Sequence, residues 1–167
     1  KLLKAIPKRN FKAGDSQVAS RWGNITEFKN FDLITPNERE ARFSLADQDS
    51  TVGKLSAMLY DETKCKNLIL KLGPRGVFCI DSSSRKRIPF SIGVFVENIL
   101  DAVGAGDALL AYSSLSLKVS NSLVKASIIG SFAASCTCEI EGNKPINIET
   151  IINKIKQVEK KINYIHK

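Results

Sequence analysis

The sequence predicts an α/β domain with a mostly parallel sheet flanked by helices. Short apolar runs typical of buried strands alternate with helical segments in the first half, and helices dominate the second half. The chain has 167 residues, of which 43% are hydrophobic, so it can bury a core and is neither disordered nor collagen-like. No stretch approaches the roughly 18 consecutive apolar residues of a membrane-spanning helix, so we expect a soluble protein without a membrane partner.

Turn residues and apolar runs locate the strands. The segment 32–35 ends at Pro36, and the segment 67–72 is followed by Gly73 and Pro74. Because another apolar run comes directly after this turn, we expect 67–72 and 76–81 to form a hairpin. The predicted strands are 11–15, 32–35, 67–72 and 76–81, with weaker candidates at 85–90 and 94–99.

Helical spacing and capping residues locate the helices. Asn37 follows Pro36 in position to cap a helix, and Glu40 stands three residues later, as in a capping box. A basic helical segment precedes residue 11, and the other predicted helices are 37–46, 51–63, 105–117, 122–138 and 148–164. No internal repeat or linker interrupts this order, so we expect one domain.

Cysteine and histidine usage limits the chemistry. The four cysteines match no common zinc pattern, and we expect reduced, buried thiols in a cytoplasmic protein. They are Cys65, Cys79, Cys136 and Cys138. The single histidine is His166, near the end of the sequence, so nucleophilic chemistry of the Ser-His or Cys-His type has no base in the body of the chain. Proton transfer therefore falls to a carboxylate, a lysine or a tyrosine.

The basic charge favours phosphate-bearing substrates over nucleic acid. Lys and Arg number 25 against 17 Asp and Glu, a net charge of +8. The basic residues cluster near both ends of the sequence, and the aromatic residues, 7% of the chain, do not interleave with them. A polyanion-binding surface would combine charge with aromatic platforms, so we expect no nucleic-acid partner.

A glycine turn carries the clearest chemical signal. An apolar run that resembles a strand ends at Asp101, and Gly104, Ala105 and Gly106 then lead through Asp107 into an apolar helix. Small residues at a helix start let backbone N–H groups approach an anion, most plausibly a phosphoryl group, and a carboxylate beside it could accept a proton from an attacking hydroxyl. Taken alone, a Gly-x-Gly of this kind is more often a tight turn only. It is neither a Walker loop nor a complete dinucleotide fingerprint.

The motif Asp-x-x-Gly-Ala-Gly-Asp at 101–107 resembles the C-terminal signature of the PfkB, or ribokinase-like, carbohydrate kinases. Three further segments resemble family motifs in the same order. They are Thr-Pro-Asn-Glu-Arg-Glu-Ala at 35–41, like the Asn-x-x-Glu motif, Lys-Leu-Gly-Pro-Arg-Gly-Val at 71–77, like the Thr-x-Gly-x-x-Gly turn, and 131–142, like the helix beside the adenine pocket. The turn at 104–111 and the start Thr-Pro-Asn look most like the heptose-phosphate kinase branch.

The resemblance implies a three-layer, Rossmann-like fold of the ribokinase type and an ATP-dependent transfer to a sugar or sugar phosphate. Asp107 would then be the base, and the N–H groups of Gly104, Ala105 and Gly106 would stabilise the transferring phosphoryl group. Asn37 and Glu40 would lie near Mg²⁺, through water, although a capping box alone also explains this pair.

The resemblance also assigns nucleotide and cation contacts. Gly73, Gly76 and Ser131 would approach the nucleotide, although the two glycines could simply shape a hairpin. Lys71 replaces the usual Thr or Ser and could reach a phosphate or face solvent. Asp101 and the carbonyl of Val103 match positions that hold a monovalent cation such as K⁺ in some relatives.

The matches cover residues 1–167 as the C-terminal, nucleotide-binding and catalytic part of a PfkB-type domain. The N-terminal half of the family, with its sugar contacts and lid, has no counterpart in this sequence, and relatives often form homodimers through that lid. The sugar is therefore not identified. Because Lys71 and Ala102 depart from the family motifs, a non-catalytic, nucleotide-binding or regulatory module is the alternative interpretation.

Overall fold

A computed structural model describes residues 2–7, 9–16, 24–81, 88–142 and 144–165, so His166 lies outside the described residues. The chain divides into two compact units, Lys1–Ser91 and Ile92–Lys167. None of the helices in these described ranges is long and apolar enough to cross a membrane.

The first unit is built on an open sheet. Within the described residues, five strands form this sheet in chain order, β1-β2-β3-β4-β5. The strands are β1 (Ala13–Gly14), β2 (Leu33–Ile34), β3 (Asn67–Lys71), β4 (Val77–Asp81) and β5 (Phe90–Ile92). The β1–β2 and β2–β3 pairs are parallel, and β3 and β4 form the predicted antiparallel hairpin. The predicted α/β class with a mostly parallel sheet is confirmed.

Helices α1 (Leu2–Ala5), α2 (Glu38–Leu45) and α3 (Val52–Thr63) belong to the same unit. Asn37 caps α2 in a capping box, and Thr51 Oγ1 accepts a hydrogen bond from Lys54 N to cap α3. Apolar side chains of α3, β2 and β3 fill the core, since burial of these faces stabilises the layered packing. Its fully buried members include Ile34, Leu55, Leu59, Leu68 and Leu70.

The second unit is helical. Its helices are α4 (Ala105–Ser120), α5 (Leu123–Cys138) and α6 (Ile148–Ile165), in agreement with the predicted segments. Helices α4 and α5 approach closely at Gly130, where an added Cβ would lie 2.0 Å from Ser113 Oγ. The ring of Phe95 stacks on Phe132 with centroids 3.9 Å apart, and Ile151 of α6 completes this core.

Of the two weaker strand predictions, the one at 94–99 is wrong, and the one at 85–90 overlaps β5 only at Phe90. Residues 94–99, and the run that ends at Asp101, form no strand, because several of their N–H groups bond to α5 or to Glu139, its C-cap. Phe95 N donates to Ser135 Oγ at 3.2 Å, Glu97 N to Glu139 Oε1 at 2.8 Å, and Leu100 N to Cys138 O at 2.8 Å. Of the candidate at 85–90, residues 85–87 lie outside the described residues, and the strand begins only at Phe90.

None of the four cysteines, all among the described residues, forms a disulfide. Cys65, Cys79 and Cys136 are buried as predicted, whereas Cys138 is only half-buried. Burial raises the pKa of the Cys65 thiol to about 11. A protonated, buried thiol is a poor nucleophile, so Cys65 acts as a small apolar core residue.

Candidate functional site

The glycine turn in the second unit ends at the start of α4. Gly104 is the N-cap and adopts φ 83°, a left-handed conformation that favours glycine. Asp101 Oδ1 accepts a hydrogen bond of 2.9 Å from Val103 N, which folds the backbone ahead of the glycine. Ala105 N donates to Ala102 O at 3.3 Å, a long bond within the turn. Local hydrogen bonds therefore set the direction from which the chain enters α4.

The start of α4 has the features of an anion site. No side chain in the described residues caps this helix, and Gly106 and Asp107 are its second and third residues. Backbone N–H groups in the first turn of a helix have no acceptor within the helix, and they lie at the positive end of the helix dipole. The Asp107 side chain is exposed in the same turn. An anion held here would therefore lie beside an accessible carboxylate.

The first unit places Asn37 and Glu40 in a complete capping box. Asn37 Oδ1 accepts from Glu40 N, and Glu40 Oε2 accepts from Asn37 N, both at 2.8 Å. Glu40 is only 5% exposed. Burial raises the pKa of its carboxyl group, while the Asn37 N–H bond and the Lys71 charge oppose that rise. The capping interpretation of this pair is confirmed, and a role beside a metal ion stays a prediction.

Lys71 does not face solvent, which was one of its two predicted orientations, and a contact with a phosphate, the other, stays a prediction. Its ammonium donates to Asp15 Oδ2 in an ion pair whose two side chains are both mostly buried. Asp15 follows β1, and Lys71 ends β3, so the pair joins the carboxyl ends of two parallel-aligned strands. Ligands of open α/β sheets gather at this edge. Asp15 is the last residue of the predicted strand 11–15, and this position at a strand end was the available signal in the sequence.

Ser16 lies beside this pair and is 4% exposed. Its hydroxyl lies near Glu40 and acts to lower the pKa of that carboxyl group, against the effect of burial. The same hydroxyl makes no hydrogen bond of normal geometry with a described residue. Buried hydroxyls usually have partners. Together, Asp15, Ser16, Glu40 and Lys71 form a small polar group, which we call the edge cluster.

A groove of about 430 Å³ opens beside the edge cluster. It is lined by Asn37, Glu38, Arg39, Arg42, Phe43, Gln48, Lys71, Leu72 and Gly73. Gly73 and Gly76 both adopt positive φ, 60° and 83°, in the turn between β3 and β4. Space around Gly73 is open, since an added Cβ would meet no described atom within 4 Å. The structure thus brings Asn37, Lys71 and Gly73 to one groove, and nucleotide binding there stays a prediction.

The remaining predicted residue, Ser131, lies on α5 in the second unit. Its side chain is buried, and its hydroxyl has no hydrogen-bond partner among the described residues. The predicted residues therefore form two groups, one in each unit: Asn37, Glu40, Lys71, Gly73 and Gly76 in the first, and Asp101, Val103 to Asp107 and Ser131 in the second.

Comparison with protein families matches residues 4–150 to the pfkB family of carbohydrate kinases. The chain belongs to this family. The matched region includes the edge cluster, the groove and the start of α4. The similarity to the pfkB family therefore extends beyond the four motifs to most of the chain.

Individual relatives agree with this assignment. The chain is 26% identical over 169 residues to the bifunctional protein HldE of Campylobacter fetus subsp. fetus. The aligned region covers 96% of this chain and 36% of HldE. The ribokinase of Thermotoga maritima superposes with a TM-score of 0.76 at 22% identity over 92% of this chain and 51% of its own. The chain thus spans about half the length, or less, of these relatives.

Two further solved structures share the fold. A ribokinase of Arabidopsis thaliana complexed with ribose and ATP has a TM-score of 0.72 at 19% identity and covers 86% of this chain and 47% of its own. Phosphofructokinase-2 of Escherichia coli in complex with potassium has a TM-score of 0.69 at 20% identity, and the match covers 80% of this chain and 43% of the phosphofructokinase-2 chain. These likenesses confirm the predicted ribokinase-like α/β fold of this pfkB family chain.

Proposed function

We propose that this chain is the nucleotide-handling and catalytic part of an ATP-dependent carbohydrate kinase. The reaction is the transfer of the γ-phosphoryl group of ATP to a hydroxyl of a sugar or sugar phosphate. The observation that carries the proposal is the start of α4, where an uncapped helix N-terminus stands beside the exposed carboxylate of Asp107. Membership of the pfkB family supports it.

Asp107 acts as the general base in this proposal. Its carboxylate accepts the proton of the sugar hydroxyl as the oxygen attacks phosphorus, and the bond from phosphorus to the bridging oxygen of ADP breaks. The N–H groups of Gly104, Ala105 and Gly106 stabilise the negative charge on the phosphoryl oxygens. Of these groups, Ala105 N–H must first leave its long bond to Ala102 O.

The first unit supplies the phosphate and metal environment. Asn37 and Glu40 fit an ion held through water, because the capping box uses Asn37 Oδ1 and only one of the two Glu40 carboxylate oxygens, Oε2. A bound Mg²⁺ would neutralise phosphate charge. Lys71, Gly73 and Gly76 line or shape the groove proposed for the nucleotide.

Two further contacts complete the proposal. Ser131 meets the nucleotide through its hydroxyl, which has no hydrogen-bond partner among the described residues, and Asp101 with the Val103 carbonyl holds a monovalent cation. The potassium complex of phosphofructokinase-2 and the ATP complex of ribokinase support these ligands. An ATP-consuming enzyme whose mainly buried cysteines form no disulfide suits the cytoplasm.

The test is the variant Asp107→Asn in the full-length gene product, assayed against a panel of sugars and sugar phosphates. Removing a general base should lower kcat by about 10² to 10⁴-fold while leaving the dissociation constant for ATP unchanged. Glu149→Gln is the matched control, since Glu149 is another exposed carboxylate in the first turn of a helix.

Full activity of Asp107→Asn would contradict the assignment of the base. Nucleotide binding by the unaltered protein without transfer to any sugar would instead favour a regulatory module.

A further inference from the structure

Residues 95–101 lead directly into the glycine turn, so their position determines where the turn begins. They belong to no strand, and the end of α5 holds them instead. Leu100 N and Asp101 N both donate to Cys138 O, at 2.8 and 3.2 Å, and Asp101 Oδ1 accepts from Val103 N inside the turn. A chain of hydrogen bonds thus connects the last turn of α5 to the backbone that precedes α4.

One bond in this connection comes from a side chain. Glu97 N, in the middle of the segment, donates to Glu139 Oε1 at 2.8 Å. The same oxygen lies 2.6 Å from the ammonium of Lys154, which is 5% exposed. A buried ammonium is strongly unfavourable without a carboxylate beside it, so the pair fixes the direction of the Glu139 side chain. The proposed reaction gives neither Glu139 nor Lys154 a role.

Stability alone explains this ion pair poorly, because apolar residues of similar size often replace a buried pair without loss. An apolar replacement of Glu139 would, however, remove the acceptor of the Glu97 N–H group. The position of the following turn matters for catalysis, since backbone N–H groups stabilise a transition state only at the correct distance. A displacement of about 1 Å costs as much as about 10²-fold in rate.

We propose that Glu139, oriented by Lys154, is a positioning residue for phosphoryl transfer. It touches no reacting atom and acts through residues 95–101, which hold the N–H groups of residues 104–106 where the transferring phosphoryl group needs them. This inference rests on the proposed function and adds to it two residues that neither bind ATP nor exchange a proton.

The test compares two double variants of the full-length gene product that differ in one acceptor oxygen. Glu139→Met with Lys154→Met, the methionine variant, removes the acceptor and both charges, so no buried ammonium is left unpaired. Glu139→Gln with Lys154→Met, the glutamine variant, removes the same charges but keeps a carbonyl oxygen for Glu97 N.

The methionine variant should lower kcat at least about tenfold and change the dissociation constant for ATP less than about threefold, because the lost interaction acts in the transition state. The glutamine variant should restore kcat to within about threefold of the unaltered protein. Lys161→Met is the charge control, since its ion pair with Glu97 is exposed, and kcat should stay at the unaltered level.

Amide hydrogen exchange without nucleotide reports on the turn independently of turnover. The amides of Leu100, Asp101 and Val103 are hydrogen-bonded, and local opening determines their exchange rates. Exchange at these amides should be at least about tenfold faster in the methionine variant than in the glutamine variant. Should the methionine variant fail to fold, Lys154→Met alone frees the Glu139 side chain, and exchange should exceed that of the unaltered protein.

Equal kcat and equal exchange in the two double variants would overturn the proposal, because the acceptor oxygen would then have no effect. A loss of activity that only follows the folded fraction would also overturn it, since the pair would then be merely structural. Unchanged exchange in Lys154→Met would contradict the part assigned to the lysine.

Failure of this inference is distinguishable from failure of the proposed function. Absence of transfer by the unaltered protein would contradict the proposed function and with it the kinetic role of Glu139. Equal behaviour of the two double variants, together with a loss of kcat in Asp107→Asn, would contradict this inference alone.

Discussion

At the scale of single residues, Asp32 makes stability depend on pH. Its carboxylate accepts hydrogen bonds from Lys12 N at 2.8 Å and from Lys66 Nζ at 2.7 Å. Burial raises the pKa of Asp32, but these bonds and the lysine charges together lower it below its ordinary value. Because the folded-state pKa is the lower one, the stabilisation is present at neutral pH and is lost as pH falls through the unfolded and then the folded value.

Asp32→Asn should therefore lower the free energy of unfolding at neutral pH by about 1–2 kcal/mol. The difference from the unaltered chain should shrink as pH falls from about 7 to about 3, measured by urea unfolding. Lys66→Met is the control, since it removes only the exposed partner and should cost less than about 1 kcal/mol. A difference that does not change with pH would contradict the role of ionisation.

At the scale of elements, the capping box determines where α2 begins. Asn37→Ala should destabilise the chain by about 1 kcal/mol, because the Glu40 N–H loses its acceptor. Asn37→Ser keeps a capping oxygen and should stay near the unaltered stability in thermal unfolding. Equal loss in both variants would mean that Asn37 stabilises the fold through contacts other than the cap.

Two helical glycines should respond in opposite ways to alanine. In α3, a Cβ at Gly53 would meet, of the atoms in the described ranges, only Phe78 Cζ at 3.9 Å, an ordinary contact. Gly53→Ala should therefore stabilise the chain by about 0.5–1 kcal/mol through helix propensity. In α5, a Cβ at Gly130 would lie 2.0 Å from Ser113 Oγ and 3.0 Å from the Leu109 carbonyl oxygen.

Gly130→Ala should accordingly destabilise the chain by about 1–3 kcal/mol, because α4 and α5 must separate. Adding Ser113→Ala should restore part of the loss, and urea unfolding of the three variants measures this. A stabilised Gly130→Ala would show that the two helices do not pack as closely as the structure has them.

At the scale of the whole molecule, a buried ion pair stabilises the second unit. Lys154 on α6 is 5% exposed, and its ammonium lies 2.6 Å from Glu139 Oε1 and 3.8 Å from Glu97 Oε1. Glu139 also accepts from Glu97 N, so three distant segments meet at one carboxylate. Losing that charge would leave Lys154, within the described part of the chain, with only the more distant Glu97 as an ion-pair partner.

Glu139→Gln should therefore cost about 2–4 kcal/mol in the free energy of unfolding. Lys161→Met is the control, because its ion pair with Glu97 is exposed and should contribute less than about 1 kcal/mol. Denaturant unfolding of both variants checks the difference. A small effect of Glu139→Gln would mean that water or Glu97 compensates Lys154 in full.

Much of the fold and part of the site follow from sequence patterns. The capping residue Asn37 and the periodic apolar positions predicted five helices within a few residues of their ends, and the structure adds caps at Thr51 and Ser122. The hairpin followed from the glycine turn, and the turn into α4 from three small residues ahead of Asp107. These features depend on hydrogen bonds and contacts within a few residues, which the local sequence determines.

Only the tertiary structure decided the rest. Residues 94–99 are apolar enough for a strand, but α5 accepts their N–H bonds, which no pattern within the segment could show. Likewise, Lys71 pairs with Asp15, 56 residues away, only because their strands end at the same edge of the sheet. The sequence by itself determined the elements and the chemical groups, and the packing of the elements decided which of those groups meet. The physical reason is that such contacts depend on the arrangement of the whole sheet and its helices rather than on neighbouring residues.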